Sequence, residues 1–183
     1  MTTIKTRRLV LREWSKKDKK DLIEGANNLN VSKWFQTIPF PYKERDADWW
    51  INHCEEKLKN KKREGYELAI ELKENKKLIG GFGLSKIDKV QGTATIGYWL
   101  NETYHGKGLG TEALSELIKF AFDKLKLRRL NASVFTGNPS SGKLLEKFGA
   151  KKEGLKRKSA VCKADGKIKD EIIYGLLKSE WKK

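Results

Sequence analysis

The chain has 183 residues, enough for a domain with a substantial core, and carries 40 Lys and Arg against 24 Asp and Glu, a net charge of +16. Two cysteines, Cys54 and Cys162, make no disulfide framework and no metal-ligand spacing, and with the two histidines, His53 and His105, far apart from each other, no metal is expected. No apolar run is long enough to span a membrane and Met1–Lys5 does not read as a signal peptide, so a cytoplasmic protein with no membrane partner is expected. The positive charge favours anionic partners, among them nucleotide phosphates, RNA and the ribosome surface, unless it is simply a solvated, lysine-rich exterior.

Thr6–Trp14 sets Leu9 and Leu11 against Val10 and predicts a first strand. Ser15 followed by Asp18 is a capping signal, and Leu22, Ile23 and Ala26 carry a helix from there to about Asn27. Val31, Trp34 and Phe35 predict a short second helix, broken by Pro39-Phe40-Pro41. Trp49, Trp50, His53, Cys54 and Leu58 recur at near-helical spacing and predict a longer helix from about Arg45 to Arg63, with His53 as a partly buried helix-face residue. The aromatics Trp34, Phe35, Phe40, Tyr42, Trp49 and Trp50 are either core or the lining of a pocket. Tyr66–Leu72 alternates and predicts a strand, which returns after a polar turn as Leu78–Ile87; Gly80, Gly81 and Gly83 inside it mark a bulge or a close backbone approach. Thr93–Leu100 is the next strand. Leu114, Leu117, Ile118, Ala121, Phe122 and Leu125 then form one face of a helix. Arg128–Phe135 predicts another strand. Asn138 is placed as an N-cap and Pro139 as the first residue of a helix through Lys147, stopped by Gly149. Lys151–Cys162 and Lys167–Leu177 pair as a final hairpin through Ala164-Asp165-Gly166-Lys167. No repeat or low-complexity linker divides the chain, and residues 1–183 are expected to form a single domain.

The most informative stretch is Ile96–Ala113, which reads as a strand, a loop with Gly106, Gly108 and Gly110 at alternate positions, and a helix N-terminus. The first turn of a helix has backbone N–H groups without intrahelical acceptors, and the helix dipole adds partial positive charge there. Glycines remove the Cβ atoms that would hold a diphosphate away from those groups, and Lys107 adds a full charge. The other reading of this spacing is a tight turn with nothing bound. The P-loop is excluded because its Lys follows the last glycine, and the dinucleotide fingerprint because the third glycine comes one residue early.

His105-Gly106-Lys107-Gly108-Leu109-Gly110 resembles motif A, Q/R-x-x-G-x-G/A, of the GCN5-related N-acetyltransferases, with His at the first position. Asn138-x-x-Ser141 followed by Gly-Lys-Leu-Leu-Glu-Lys-Phe-Gly resembles motif B of that superfamily. Leu9-Val10-Leu11-Arg12, Asp18, Gly97-Tyr98-Trp99-Leu100 and Asp170–Trp181 are similar to the ribosomal-protein N-terminal acetyltransferases. The resemblance implies an α/β fold of the α+β type: a mixed, mainly antiparallel, twisted sheet of about seven strands, helices on both faces, and the fourth and fifth strands splayed apart. It implies acetyl-CoA as co-substrate, with the backbone of Tyr98, Trp99 and Leu100 holding pantetheine. His105, Gly106, Lys107, Gly108, Leu109, Gly110 and Thr111 would hold the pyrophosphate. Asn138 would contact the pantetheine or thioester end, and Lys143 would reach the phosphates; capping alone is the other role for Asn138.

The implied reaction is direct transfer of acetyl from sulfur to a primary amine, most naturally a protein N-terminus of the ribosomal-protein kind, by a monomer or homodimer. A small amine, polyamine or antibiotic is the alternative acceptor, and an inactive ribosome- or RNA-binding module the alternative role. The amine must lose a proton before attack and the leaving thiolate must gain one. The tyrosine that many members use as the acid is here Leu145, which leaves Ser141 as the candidate hydroxyl; the glutamate often found two residues before the glycine of the fourth strand is here Thr95. Glu67 and Glu13, on neighbouring strands, are the candidate bases beside a water chain. An aimed N–H from Gly97–Leu100 would stabilise the oxyanion.

Overall fold

A computed structural model of the chain describes residues 2–59 and 63–182. Its frame is an eight-stranded sheet in the order β1-β2-β3-β4-β5-β6-β8-β7, comprising β1 (Thr3–Lys5), β2 (Leu9–Glu13), β3 (Tyr66–Leu72), β4 (Leu78–Asp88), β5 (Thr93–Leu100), β6 (Arg129–Phe135), β7 (Lys151–Val161) and β8 (Ile168–Leu177). Every neighbouring pair is antiparallel except β5 and β6. Among the described residues five α-helices accompany it: α1 (Lys19–Ala26), α2 (Leu29–Ser32), α3 (Glu44–Lys59), α4 (Leu109–Lys119) and α5 (Pro139–Lys147).

The period-two alternation of the strands sends their side chains to two cores. In β3, Leu68 and Ile70 face the side where α4 inserts Ala113, Leu114, Leu117 and Ile118. Ala69 faces the other way, into a second core that α1 and α3 close with Leu22, Ala26, Ala47, Ile51 and Cys54. Helices therefore cover both faces, as the resemblance implies. Asp18 fixes the entry to α1: its carboxylate accepts from Ser15 N at 2.9 Å and from both terminal nitrogens of Arg12 at 2.6 and 2.8 Å. Arg12 also donates to Glu71 at 2.8 Å, so one half-buried guanidinium ties β2, β3 and α1 together.

The sheet has eight strands where about seven were expected. The additional one is β1, whose three residues pair with β2 in the register Thr3↔Arg12 to Lys5↔Val10 and are too few to show an alternating pattern. Thr6, placed by sequence at the start of the first strand, instead closes the turn between β1 and β2 by donating from its N–H to Leu9 O at 3.0 Å. The second helix ends before Trp34 and Phe35. Lys33 O accepts from Lys169 Nζ at 2.6 Å and from Cys162 Sγ at 3.4 Å, which directs that carbonyl to the β7–β8 hairpin. α3 ends at Lys59 and Arg63, the predicted end, is not helical; residues 60–62 between them lie outside the described residues. The helix from Leu114 to Leu125 begins five residues earlier, at Leu109, and its last turn, Phe120–Lys124, widens to a π-helix.

Asp18 is 3% exposed, and its removal takes away two charge-assisted hydrogen bonds of Arg12, leaving Glu71 as the carboxylate that holds the guanidinium. Losing hydrogen bonds to a charged group costs about 1.5–3 kcal/mol. Asp18→Ala is expected to lower the unfolding free energy by about that much in urea titrations, with an unchanged m-value.

Candidate active site

β5 and β6 share a ladder only from Thr93–Arg129 to Thr95–Asn131. Beyond it, β5 stays with β4 through Leu100↔Gly80, and β6 stays with β8 through Phe135↔Glu171. The facing edges from Ile96 to Leu100 and from Ala132 to Phe135 thus part, and a cavity of about 910 Å³ opens between them. Backbone amides on such an edge have no strand partner and are free to bind an extended ligand.

The cavity runs to the glycine loop. Asn101 caps a short turn at Glu102–Tyr104, its Oδ1 accepting from Thr103 N at 3.1 Å. His105 Nε2 lies 2.9 Å from Leu100 O, pinning the loop back onto the end of β5. Gly106 and Gly108 have φ of +73° and +72°, the left-handed region in which a side chain is strained. A Cβ on Gly106 would meet nothing within 4 Å, so that side of the loop is open. Gly108 caps α4, and Leu109, Gly110 and Thr111 of its first turn line the cavity.

The loop is braced from the first strands, a feature sequence reasoning did not find. Glu112 Oε1 accepts from Thr6 Oγ1 at 2.5 Å and from Arg8 N at 2.6 Å, while Oε2 pairs with Arg8 Nε at 2.7 Å. Arg8 Nη1 then donates to Lys107 O at 3.0 Å. Burial of Glu112 works against its charge, but the bonds from Thr6 and Arg8 outweigh it and hold the carboxyl below its ordinary pKa. Of the residues assigned to the loop, only Lys107 is outside the cavity lining; its Nζ lies 5.3 Å from the centre of the Tyr104 ring. Lys143, exposed on α5, is also outside the lining.

On the opposite wall Asn138 caps α5, its Oδ1 accepting from Ser141 N at 3.3 Å, and both residues line the cavity. Ser141 meets a partner that sequence reasoning missed. Tyr98 Oη is 2.9 Å from Ser141 Oγ and 3.0 Å from Ser141 O. With the phenol proton on the carbonyl, the serine hydroxyl donates to the phenol oxygen; with it on Oγ, the order reverses. Burial pushes the Tyr98 hydroxyl up to about 12 against the opposing effect of its bond to Ser141, so the phenol is neutral at physiological pH. The sequence had offered Tyr98 through its backbone alone; its side chain reaches across the slot to α5. Leu145 is 2% exposed in the adjoining core.

A second cavity, of about 860 Å³, adjoins the first and shares Phe82, Gly97, Tyr98 and Trp99 with it. Its lining includes Trp14, Phe35, Tyr42, Trp49, Trp50 and Glu67. The Trp49 and His53 rings stack at 5.1 Å with 8° between their planes, and Trp50 meets Trp14 edge-on at 6.0 Å. Of the aromatics left open between core and pocket, Trp34 lines the first cavity, Phe35 both, and Tyr42, Trp49 and Trp50 the second; Phe40 lines neither. Burial raises the Glu67 carboxyl above its ordinary pKa, an effect that Lys57, 3.3 Å away, only partly offsets. A Cβ on Gly83 would come within 2.5 Å of Glu67 Oε2, so the close approach marked by the strand glycines is, at this position, room for a carboxylate. Glu13 lines neither cavity and is held by Arg63 at 2.8 Å and by Thr2 N at 3.1 Å. A buried carboxylate not singled out from sequence, Glu171, lines the first cavity and accepts from Gln36 Nε2 and Ser159 Oγ, each at 2.8 Å. Among the described residues no cluster of three or more His, Cys, Asp or Glu is placed to hold a metal ion.

The parted sheet with a glycine loop at its mouth is the layout that the resemblance implies for an acyltransferase. Residues 8–151 match the family described as an acetyltransferase (GNAT) domain, and the chain belongs to that family. It is 34% identical over 183 residues to the Bacillus licheniformis protein named uncharacterized N-acetyltransferase p20, covering 99% of each chain. Over 90 residues it is 32% identical to the ribosomal-protein-serine acetyltransferase of Escherichia coli, covering 49% of this chain and 50% of that one. The structure of Mycobacterium smegmatis RimJ in complex with CoA-disulfide superposes with a TM-score of 0.84 at 22% identity, covering 98% of this chain and 88% of that one, a likeness of fold.

Because the folded state favours protonated Glu67, this group contributes stability below the ordinary carboxylate pKa, and the contribution is lost as pH rises through the raised value. Glu67→Gln is expected to be more stable than the parent at pH 7, with the difference shrinking toward about pH 4, as read by denaturant titration at several pH values.

Proposed function

We propose that the chain acts, as a single domain, as an acetyl-CoA-dependent N-acetyltransferase that passes acetyl directly to a primary amine, preferentially a protein N-terminus of the ribosomal-protein kind. The observation that carries this reading is the junction at Gly97–Trp99, where the slot between β5 and β6 opens into the cavity holding Glu67. Two reactants held on either side of one strand meet there in line, and such positioning supplies a large share of the rate. The name of the Escherichia coli relative and the coenzyme bound by the RimJ neighbour support the acceptor and donor respectively. A small amine or polyamine is the second reading, favoured by walls that close on the second cavity from both α3 and the segment Phe35–Thr37.

The residues present fit the co-substrate. The open face of Gly106, the first turn of α4 and nearby Lys107 suit a diphosphate, and the unpaired edge Tyr98–Leu100 suits the amides of pantetheine. Asn138, in the lining of the slot, would contact the thioester end, and Lys143, exposed on α5 and outside the lining, would reach the phosphates only from that position. Bound there, acetyl-CoA supplies an activated acetyl thioester. Glu67, kept a better base by its burial, takes the proton that the ammonium loses before attack, and the second proton, shed as the carbon–nitrogen bond forms, is the one that ends on sulfur. Ser141, backed by Tyr98, returns a proton to sulfur as the carbon–sulfur bond breaks. Backbone N–H groups of Gly97–Leu100 stabilise the charge that develops on the carbonyl oxygen.

Thiol release from acetyl-CoA with N-terminal peptides and small amines tests the reading; no release with any amine would end it. Gly108→Val forces a branched side chain into a left-handed backbone and is expected to raise the Kd for CoA at least about tenfold by calorimetry. Ser141→Ala should lower kcat by about a hundredfold with Kd for CoA within about twofold of the parent, and unchanged turnover would remove the hydroxyl from the reaction.

A further inference from the structure

The second cavity is more selective in its chemistry than an amine site requires. Trp14, Phe35, Tyr42, Trp50 and Trp99 surround it, and Trp49, 64% exposed, stands on the outer turn of α3 as one of its lining residues. Two carboxylates line it: Asp46, which accepts from Lys43 N at 2.8 Å, and Glu67, set against the glycine gap at Gly83. A primary amine with a small or hydrophilic substituent would satisfy Glu67 and leave the indole walls without contact. Indole faces attract an ammonium and also bury large apolar groups favourably. The cavity's continuity with the slot at Tyr98 places its occupant against the transfer point, not at a distant surface.

We infer that the acceptor is a primary amine bearing a bulky apolar group, with its ammonium toward Glu67 and that group between Trp49, Trp50 and Phe35. This deepens the proposed function and rests on it. Two sources share this chemistry: a peptide N-terminus whose first side chain is aromatic or large aliphatic, and a free arylalkylamine. A serine- or alanine-first terminus lacks the group that would fill the walls.

The test compares kcat/KM for peptides differing only in a first Phe, Leu, Ser or Ala, with phenethylamine and ethylamine as the free-amine arm. Burying such a side chain is worth roughly 1.5–3 kcal/mol, so Phe-first or phenethylamine is expected to lead its small counterpart by about 30-fold. A lead among the peptides assigns the site to a chain terminus, and one confined to the free amines assigns it to a small molecule. Trp49→Ala, at an exposed position, should cut the lead to a few-fold with Kd for CoA unchanged; Phe35→Ala is the independent check. A lead below threefold in the parent, or one untouched by both variants, overturns the inference. Calorimetric binding of phenethylamine and ethylamine to the CoA-bound protein separates the two failures. Without thiol release, a Trp49-dependent binding lead upholds the pocket and rejects the reaction, whereas equal binding rejects the pocket.

Discussion

The arrangement depends on a parallel ladder that stops after three residue pairs. From Thr95 and Asn131 onward, β5 and β6 each keep their other neighbour, so neither strand unravels, yet between them a row of backbone groups is left without a sheet partner. Unpaired amides in a sheet interior are costly unless something fills the gap. The fold offsets this by opening the gap to a cavity and lining it with Tyr98, Asn138 and Ser141. The single parallel pair of an otherwise antiparallel sheet is therefore also the place where the sheet is split.

Electrostatics divides the site in two. At the loop end, α4 presents its N-terminus, Arg8 and Lys107 stand nearby, and the carboxylate of Glu112 is already saturated by Thr6 and Arg8. At the other end, burial among aromatic rings disfavours the charge on Glu67. An anion is attracted at one end and a proton at the other. Tyr98 lies between them, held neutral by its own burial.

Much of this layout was legible in the residues, because glycine, proline and capping side chains act locally. The strand–loop–helix sequence from Ile96, the Asn138 cap and the final hairpin follow from such local chemistry. What escaped notice was what the fold assembles from distant positions. Glu112 looks like an ordinary first-turn acid, and only the approach of the β1–β2 corner makes it a brace. Tyr98 sits on a strand whose backbone drew attention, so the reach of its phenol to Ser141 had no signature in spacing. The strand glycines did announce a close approach, but that Gly83 makes room for Glu67 depends on the register of β3 against β4. β1 was too short to display a pattern, and α2 ends where Lys33 O is drawn to the hairpin 136 residues away.

The brace has a mechanical consequence. Thr6 and Glu112 are 106 positions apart in the chain, yet their contact joins the β1–β2 corner and the glycine loop into one cooperative unit. Fraying of the outermost strand is then transmitted to the amides of the glycine loop, which lose their support before the central sheet opens. In an amide-exchange map the β1–β2 corner and the start of α4 would open together at a common free energy, well below that of β3 and β4, although no ladder bond connects them.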